Sequence, residues 1–325
     1  MIDLTRFITA ARDRVAAAAI TTGNYRRYVG GAAVADPYGC ADAANILYTI
    51  GAFPREAGER AGFVAGLNAL QSPDGLWHET THHPIHTTAH CIAALELFDT
   101  APARPPEAIA HLADPAAMEA FLDGLEWAGN PWRASHQGAG LHTALTLSGL
   151  ADRAWRQRYV DWLARQCDAT GFWRVGAVGP VESHGATTLF PHLAGSFHYL
   201  FALEFEHAPH PAPERLIDTS LALDVENLFP LGRWVGFAEI DWVYCLTRAG
   251  RQTAHRFDER RAALRAFARR YADYLHSLPA DDAGLGDLHL LFGVLCALAE
   301  LQSALPGEIR TDWPLKLVLD RRPFI

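Results

Sequence analysis

Residues 71–98 read QSPDGLWHETTHHPIHTTAHCIAALELF, and this stretch decides the fold. A Gly/Trp turn leads into polar residues, and these lead into a run of small and apolar residues long enough for a helix. Its helical part is HPIHTTAHCIAALELF (83–98). Five more segments share this build: PYGCADAANILYTIG (37–51), SHQGAGLHTALTLSGL (135–150), SHGATTLFPHLAGSFHYLFALEF (183–205), GFAEIDWVYCLTRAG (236–250) and GLGDLHLLFGVLCALAELQ (284–302). With Asp42, His86, His136, His184, Glu239 and Asp287 as markers, neighbouring segments are 44 to 55 residues apart. A degenerate period near 50 leaves room for two helices and two loops.

Between these segments lie more charged, amphipathic stretches, at about 3–20, 55–71, 115–127, 152–167, 212–224 and 253–278. WRQRYVDWLARQ spaces its apolar residues three and four apart and puts arginines on the other face. Asp114-Pro115 reads as an N-cap followed by proline at the first helical position. The order is outer helix, loop, inner helix, six times over. Such a chain can form an open superhelix or a ring. The small-residue inner helices and the irregular repeat favour an all-α, closed (α/α)6 toroid of six helical hairpins, with the polar helix starts at one mouth. Residues 1–325 form a single domain on this reading, with the tail 304–325 packed across its outside or rim. Residues 170–179 fit either a short hairpin or a long loop. The proline-rich stretches 102–106 and 209–213 are loops between pairs.

The 325 residues carry 28 basic and 37 acidic side chains, a formal charge of -9. That balance, with no basic run, argues against a nucleic-acid partner. No stretch of 18 uncharged apolar residues predicts a transmembrane helix, and the start lacks a basic segment followed by an unbroken apolar one. Five scattered cysteines without a CxxC suit a reducing compartment. The expectation is a soluble, cytoplasmic protein; the oligomeric state is left open.

Gln71-Ser-Pro-Asp-Gly-Leu-Trp77 matches the Q-x3-G-x-W core of the repeats in squalene and other triterpene cyclases, and Gln166-Cys-Asp-Ala-Thr-Gly-Phe-Trp173 is similar with one extra residue. In repeat order the chain resembles the terpenoid cyclase and protein prenyltransferase toroid superfamily. Gly75 and Gly171 permit the tight turn, Trp77 and Trp173 can lock adjacent helix pairs, and the glutamines can tie a helix end to a neighbouring turn. The chain lacks the D-x-D-D acid motif of class II cyclases, and Asp281-Asp282 does not continue into a D-D-x-x-D diphosphate motif. Prenyltransferases hold zinc with Asp and Cys on one inner helix and His on the next. Asp241, Cys245 and His289 resemble that combination without the D-x-C spacing, and they are the candidate ligands for a divalent metal such as zinc. No organic cofactor is expected.

Sixteen histidines are present. His86 and His90 are four apart and share a helix face; His82 and His83 precede them. His136 and His142 bracket one inner-helix start, His184 and His192 another, and His289 belongs to the sixth. Imidazoles suit acid–base work or metal binding near neutral pH. His136 and His184 each follow a serine, which fits repeated capping or paired cavity chemistry. His90, beside Cys91 in an apolar run, reads as a hydrogen-bonded core residue. Asp42, Glu239, Asp241 and Asp287 fall at inner-helix starts, where the helix dipole favours a carboxylate; capping is the simpler reading for Glu239 and Asp241.

The catalytic candidates are therefore Asp42, His86, His136, His184, Glu239 and Asp287. Trp77, Trp132, Trp173 and Trp234, with Asp241 and His289, are candidates for binding substrate. Two carboxyl groups across a mouth, Asp42 with Glu239 or Asp287, would suit a glycosidase. A lyase or epimerase would draw on His136, His184 and Glu239. H-E-x-x-H, Walker A, G-x-G-x-x-G and G-x-S-x-G motifs are absent. The leading expectation is an acid–base enzyme acting on a carbohydrate or glycan fragment as hydrolase, lyase or epimerase. The alternatives are a terpenoid cyclase, hydratase or isomerase, and a non-catalytic binding or scaffold toroid.

Overall fold

The computed structural model describes residues 1–174, 189–223, 236–279 and 281–325. In chain order the helices are α1 (Thr5–Ala18), α2 (Pro37–Thr49), α3 (Ala57–Ala69), α4 (Pro84–Glu96), α5 (Pro115–Asp123), α6 (Pro131–Leu147), α7 (Arg153–Gln166), α8 (Phe190–Phe205), α9 (Pro213–Ala222), α10 (Ala238–Gln252), α11 (Phe257–Ser277), α12 (Ala283–Gly286), α13 (Leu288–Ala304) and α14 (Val318–Arg321). The strands are short. β1 (Ile2–Asp3) pairs in parallel with β4 (Ile309–Arg310), and β2 (Ala19–Thr21) pairs antiparallel with β3 (Asn24–Tyr25). The protein is all-α and extensively packed, with the repeated helix-on-helix contacts of solenoid or toroid-like folds. At 170–179 the described part forms an isolated antiparallel bridge, Cys167 with Trp173; residues 175–179 lie outside the described residues.

Helix starts follow local chemistry. Asp36, Asn130 and Asp114 accept hydrogen bonds from the backbone N–H groups of the first turns of α2, α6 and α5, and proline follows each of them. Proline has no N–H to leave unsatisfied there and already has helical φ. The helices then separate by composition. α7 buries Trp155, Tyr159, Trp162 and Leu163 and sends Arg158 and Arg165 outward to Glu119. Helices α2, α4, α6 and α13 bury nearly every residue over most of their length. Their alanines, glycines and threonines let neighbouring axes approach closely. α2 packs on α4, α4 on α6, α6 on α8, α8 on α10 and α10 on α13, and α13 packs back on α2.

The two glutamine–tryptophan turns repeat one set of contacts. The indole N–H of Trp77 donates to the Leu67 carbonyl at 2.8 Å, and that of Trp173 to the Leu163 carbonyl at 2.9 Å. Their backbone N–H groups reach Thr88 Oγ1 and Ser196 Oγ on the following inner helices. Gln71 Nε2 donates to the carbonyls of Gly75 and Arg104. Both tryptophans are fully buried, so they lock helix pairs together and are not substrate platforms.

At the C-terminal ends of the inner helices, buried Arg248 of α10 meets Glu204 of α8, Glu300 of α13 and Asp320 of α14. The tail does not stop at the rim. Beyond α14, Thr143 Oγ1 donates to the Pro323 carbonyl, Arg322 lies over the Phe292 ring, and Phe324 packs on His86 and Phe201. Arg322, Phe324 and Ile325 are buried between inner helices.

Gly75 has φ of +82°, and a Cβ there would lie 1.9 Å from the Pro105 carbonyl oxygen. Gly149 has φ of +76° with nothing within 4 Å of its added Cβ. Gly149→Ala is expected to cost only the left-handed backbone penalty, about 1–2 kcal/mol. Gly75→Ala must also displace backbone and is expected to cost clearly more. Urea unfolding of the two variants checks the order.

Candidate functional site

Tyr38, near the start of α2, is fully buried. Its ring stacks on His82 and His90 with centroids 4.6 and 5.0 Å apart, and meets His289 edge-on at 4.5 Å. Its hydroxyl lies 2.5 Å from His86 Nδ1. His86 packs on His136, and His136 packs on His198, at 4.3 and 4.4 Å. These imidazoles surround a cavity of about 50 Å³, lined by His82, His86, His136, His198, His289, Trp132, Phe197, Phe237, Asp241 and Ile325. His86, His136 and His198 are the third, sixth and ninth residues of α4, α6 and α8. The staggered helix starts bring three different depths to one level.

In four of the five imidazoles Nδ1 has a polar neighbour. His86 has Tyr38; His198 has Ser135 Oγ at 3.0 Å; His289 has Asp42 at 3.2 Å; and His82 has Glu79 at 3.1 Å. Such anchors fix the ring orientation and leave Nε2 as the remaining nitrogen. Behind the cavity, Asp42 also accepts from His90 Nε2 at 2.8 Å.

Burial, followed by the neighbouring imidazoles, pulls His86 and His136 well below the ordinary histidine value. Burial takes His198 to about 3. These three rings are neutral at pH 7. Burial alone would raise the Asp42 carboxyl, but His289 and His90 outweigh it and hold the group well below the usual carboxylate range. Asp241 goes the other way. Burial, then Glu239, raises it well above its ordinary value, and neither oxygen has a hydrogen-bond partner among the described residues. The two aspartates are thus pushed in opposite directions.

Among the described residues, two groups have the composition and spacing to hold a metal ion: His86, His136 and His198, and separately Asp42, His90 and His289. In each, one donor atom per residue lies within 4.8 Å of the others. The ligand set expected from the sequence is different. Asp241 and His289 line the cavity, but Cys245 is buried in α10, and the three form no such group among the described residues.

The structure brings His86, His136, His289, Asp241 and Trp132 to one cavity and does not bring the other described candidates there. Asp42 lies inside α2, behind His289 and His90. Asp287 caps α13 and binds Arg27 through both oxygens, at 2.9 and 3.0 Å. Glu239 is buried in the first turn of α10, and its charge acts on Tyr271 and Tyr274 of α11. The carboxyl pairs expected for a glycosidase therefore do not line the cavity. His184 and Trp234 lie outside the described residues. His136 is inside α6, whose cap is Asn130, and Ser135 serves His198 rather than a helix end. His142 binds Glu206, away from the cavity.

The sequence reading missed His198, Tyr38, Ser135 and Glu79. His198 sits in the apolar run GSFHYLF, well past the helix start. Only its polarity within that run could have flagged it.

Comparison with family models, with curated proteins and with solved structures returns no match for this chain.

Glu239 yields a test of the buried carboxyls. Burial raises it from 4.5 to about 7. Below 4.5 both folded and unfolded chains carry the proton. As pH rises toward 7 only the unfolded chain releases it, so stability falls by about 3 kcal/mol at most. Glu239→Gln removes this contribution. Denaturant unfolding at pH 4.5, 6 and 7.5 should show the variant gaining on the parent as pH rises.

Proposed function

We propose that this chain is an enzyme that moves protons at the centre of a closed six-hairpin toroid, acting on a carbohydrate or glycan fragment by lyase or epimerase chemistry. Closure is supported by the return packing of α13 on α2, which completes a cycle of inner-helix contacts. One observation carries the chemistry: His289, held through Nδ1 by the buried Asp42 carboxylate, shares its cavity with Asp241, whose carboxyl burial raises well above its ordinary value. A base and an acid facing one cavity are what proton abstraction and delivery require.

In this reading His289 Nε2 takes a proton from the substrate, and Asp42 stabilises the imidazolium that forms. Asp241 gives its proton to the departing oxygen in an elimination, or to the opposite face of the same carbon in an epimerisation. One proton enters the protein and one leaves. Hydrolysis by paired carboxylates has less support, because Asp241 is the sole carboxyl among the lining residues described. About 50 Å³ admits the reacting atoms only. The partly exposed Trp132 beside His136 offers a face on which the rest of a sugar can stack. A terpene chain would have to lie against five imidazoles.

Saturated and unsaturated oligosaccharides and monosaccharides, incubated with the protein in heavy water, test the proposal. The expected product carries a new double bond or an inverted centre, and deuterium enters at the reacting carbon. His289→Gln and Asp241→Asn should each lower turnover at least about 100-fold, while Trp313→Ala, at an exposed position, should not. No turnover and no exchange across the panel favours a binding toroid instead, and full activity in His289→Gln rules out His289 as the base.

A further inference from the structure

We propose that His86, His136 and His198 hold one divalent transition-metal ion, of the zinc or cobalt type, at the wall of the cavity. This goes beyond the proton-transfer reading, which uses none of the three.

Ligand nitrogens about 2.0–2.1 Å from a tetrahedral zinc lie roughly 3.4 Å from one another. The three donors here already sit within 4.8 Å, so a small inward turn of the rings completes the set. The anchors give the turn its direction. Tyr38 occupies Nδ1 of His86, and Ser135 occupies Nδ1 of His198. The nitrogen left to each is Nε2. This outer-shell arrangement is the one that orients metal-binding histidines. A set made only of imidazoles suits zinc, cobalt, nickel or copper and does not suit magnesium or calcium, which need oxygen ligands. Three protein ligands also leave a fourth position open, as catalytic zinc sites do. The cavity supplies the space for it, and Asp241, fully buried and without a hydrogen-bond partner among the described residues, lines that space.

The Asp42, His90 and His289 group differs in kind. Asp42 and His90 are fully buried. The contacts of 2.8 and 3.3 Å are those of two imidazoles donating to one carboxylate oxygen. That group positions His289 and needs no ion.

The test uses the full chain, stripped with a chelator and titrated with Co²⁺ and then Zn²⁺. The expected result is one ion per chain, with the strong visible absorption of four-coordinate cobalt, displaced by zinc. His136→Ala and His198→Ala should each weaken binding at least about 100-fold. Tyr38→Phe, which removes only an anchor, should weaken it about 10- to 100-fold. His90→Ala should leave the stoichiometry and the spectrum unchanged. Circular dichroism melts establish that each variant is folded, and His198→Gln replaces any alanine variant that is not. Absence of stoichiometric binding overturns the proposal, as does binding lost in His90→Ala but kept in His198→Ala. The readout is binding, so its failure is separate from a failure to find a sugar substrate.

Discussion

A buried imidazole has two ring nitrogens to satisfy, and that constraint organises the centre of this protein. Each nitrogen withdrawn from water without a partner costs free energy. Tyr38, Ser135, Asp42 and Glu79 meet the demand on one side of His86, His198, His289 and His82. All four rings line a small cavity. Tyr38 matters most, because one ring bonds His86 and packs on His82, His90 and His289. Loss of its hydroxyl would free one ring; loss of its whole side chain would undo the packing of four.

The two ends of the inner helices are chemically distinct. Histidines and Asp241 gather toward the N-terminal ends. Arg248 draws Glu204, Glu300 and Asp320 together at the other end, where a cation complements the helix dipoles. The tail is fastened there through Asp320 and then runs inward. Phe324 and Ile325 fill the space below the imidazoles, which is why the cavity is only about 50 Å³. The tail thus sets the size of the site as well as its floor.

Some of this was legible in the residues. Outer and inner helices follow from charge and small-residue content, and Gly75 and Trp77 announce a turn whose contacts recur at Gly171 and Trp173. His86, His136, His289 and Asp241 stood out as polar groups on apolar helices. His198 did not, because attention to helix starts passes over a histidine nine residues in. Asp42, Asp287 and Glu239 stood out for the same reason as the true lining residues, yet the partners of Asp42 and Asp287 lie far along the chain. Arg27, which ties up Asp287, is 260 residues away.

The alternation of helices, their starts at capped prolines and the kinds of side chain available at the centre follow from the residues alone. These are local properties, fixed by spacing and by a residue's own backbone preferences. Tertiary structure alone decided which imidazoles meet, which carboxyl is neutralised by burial and which is held ionised, and where the tail ends. Those outcomes depend on the relative rotation and axial shift of neighbouring helices. A displacement of one residue there changes a side chain's partner and leaves the sequence pattern untouched.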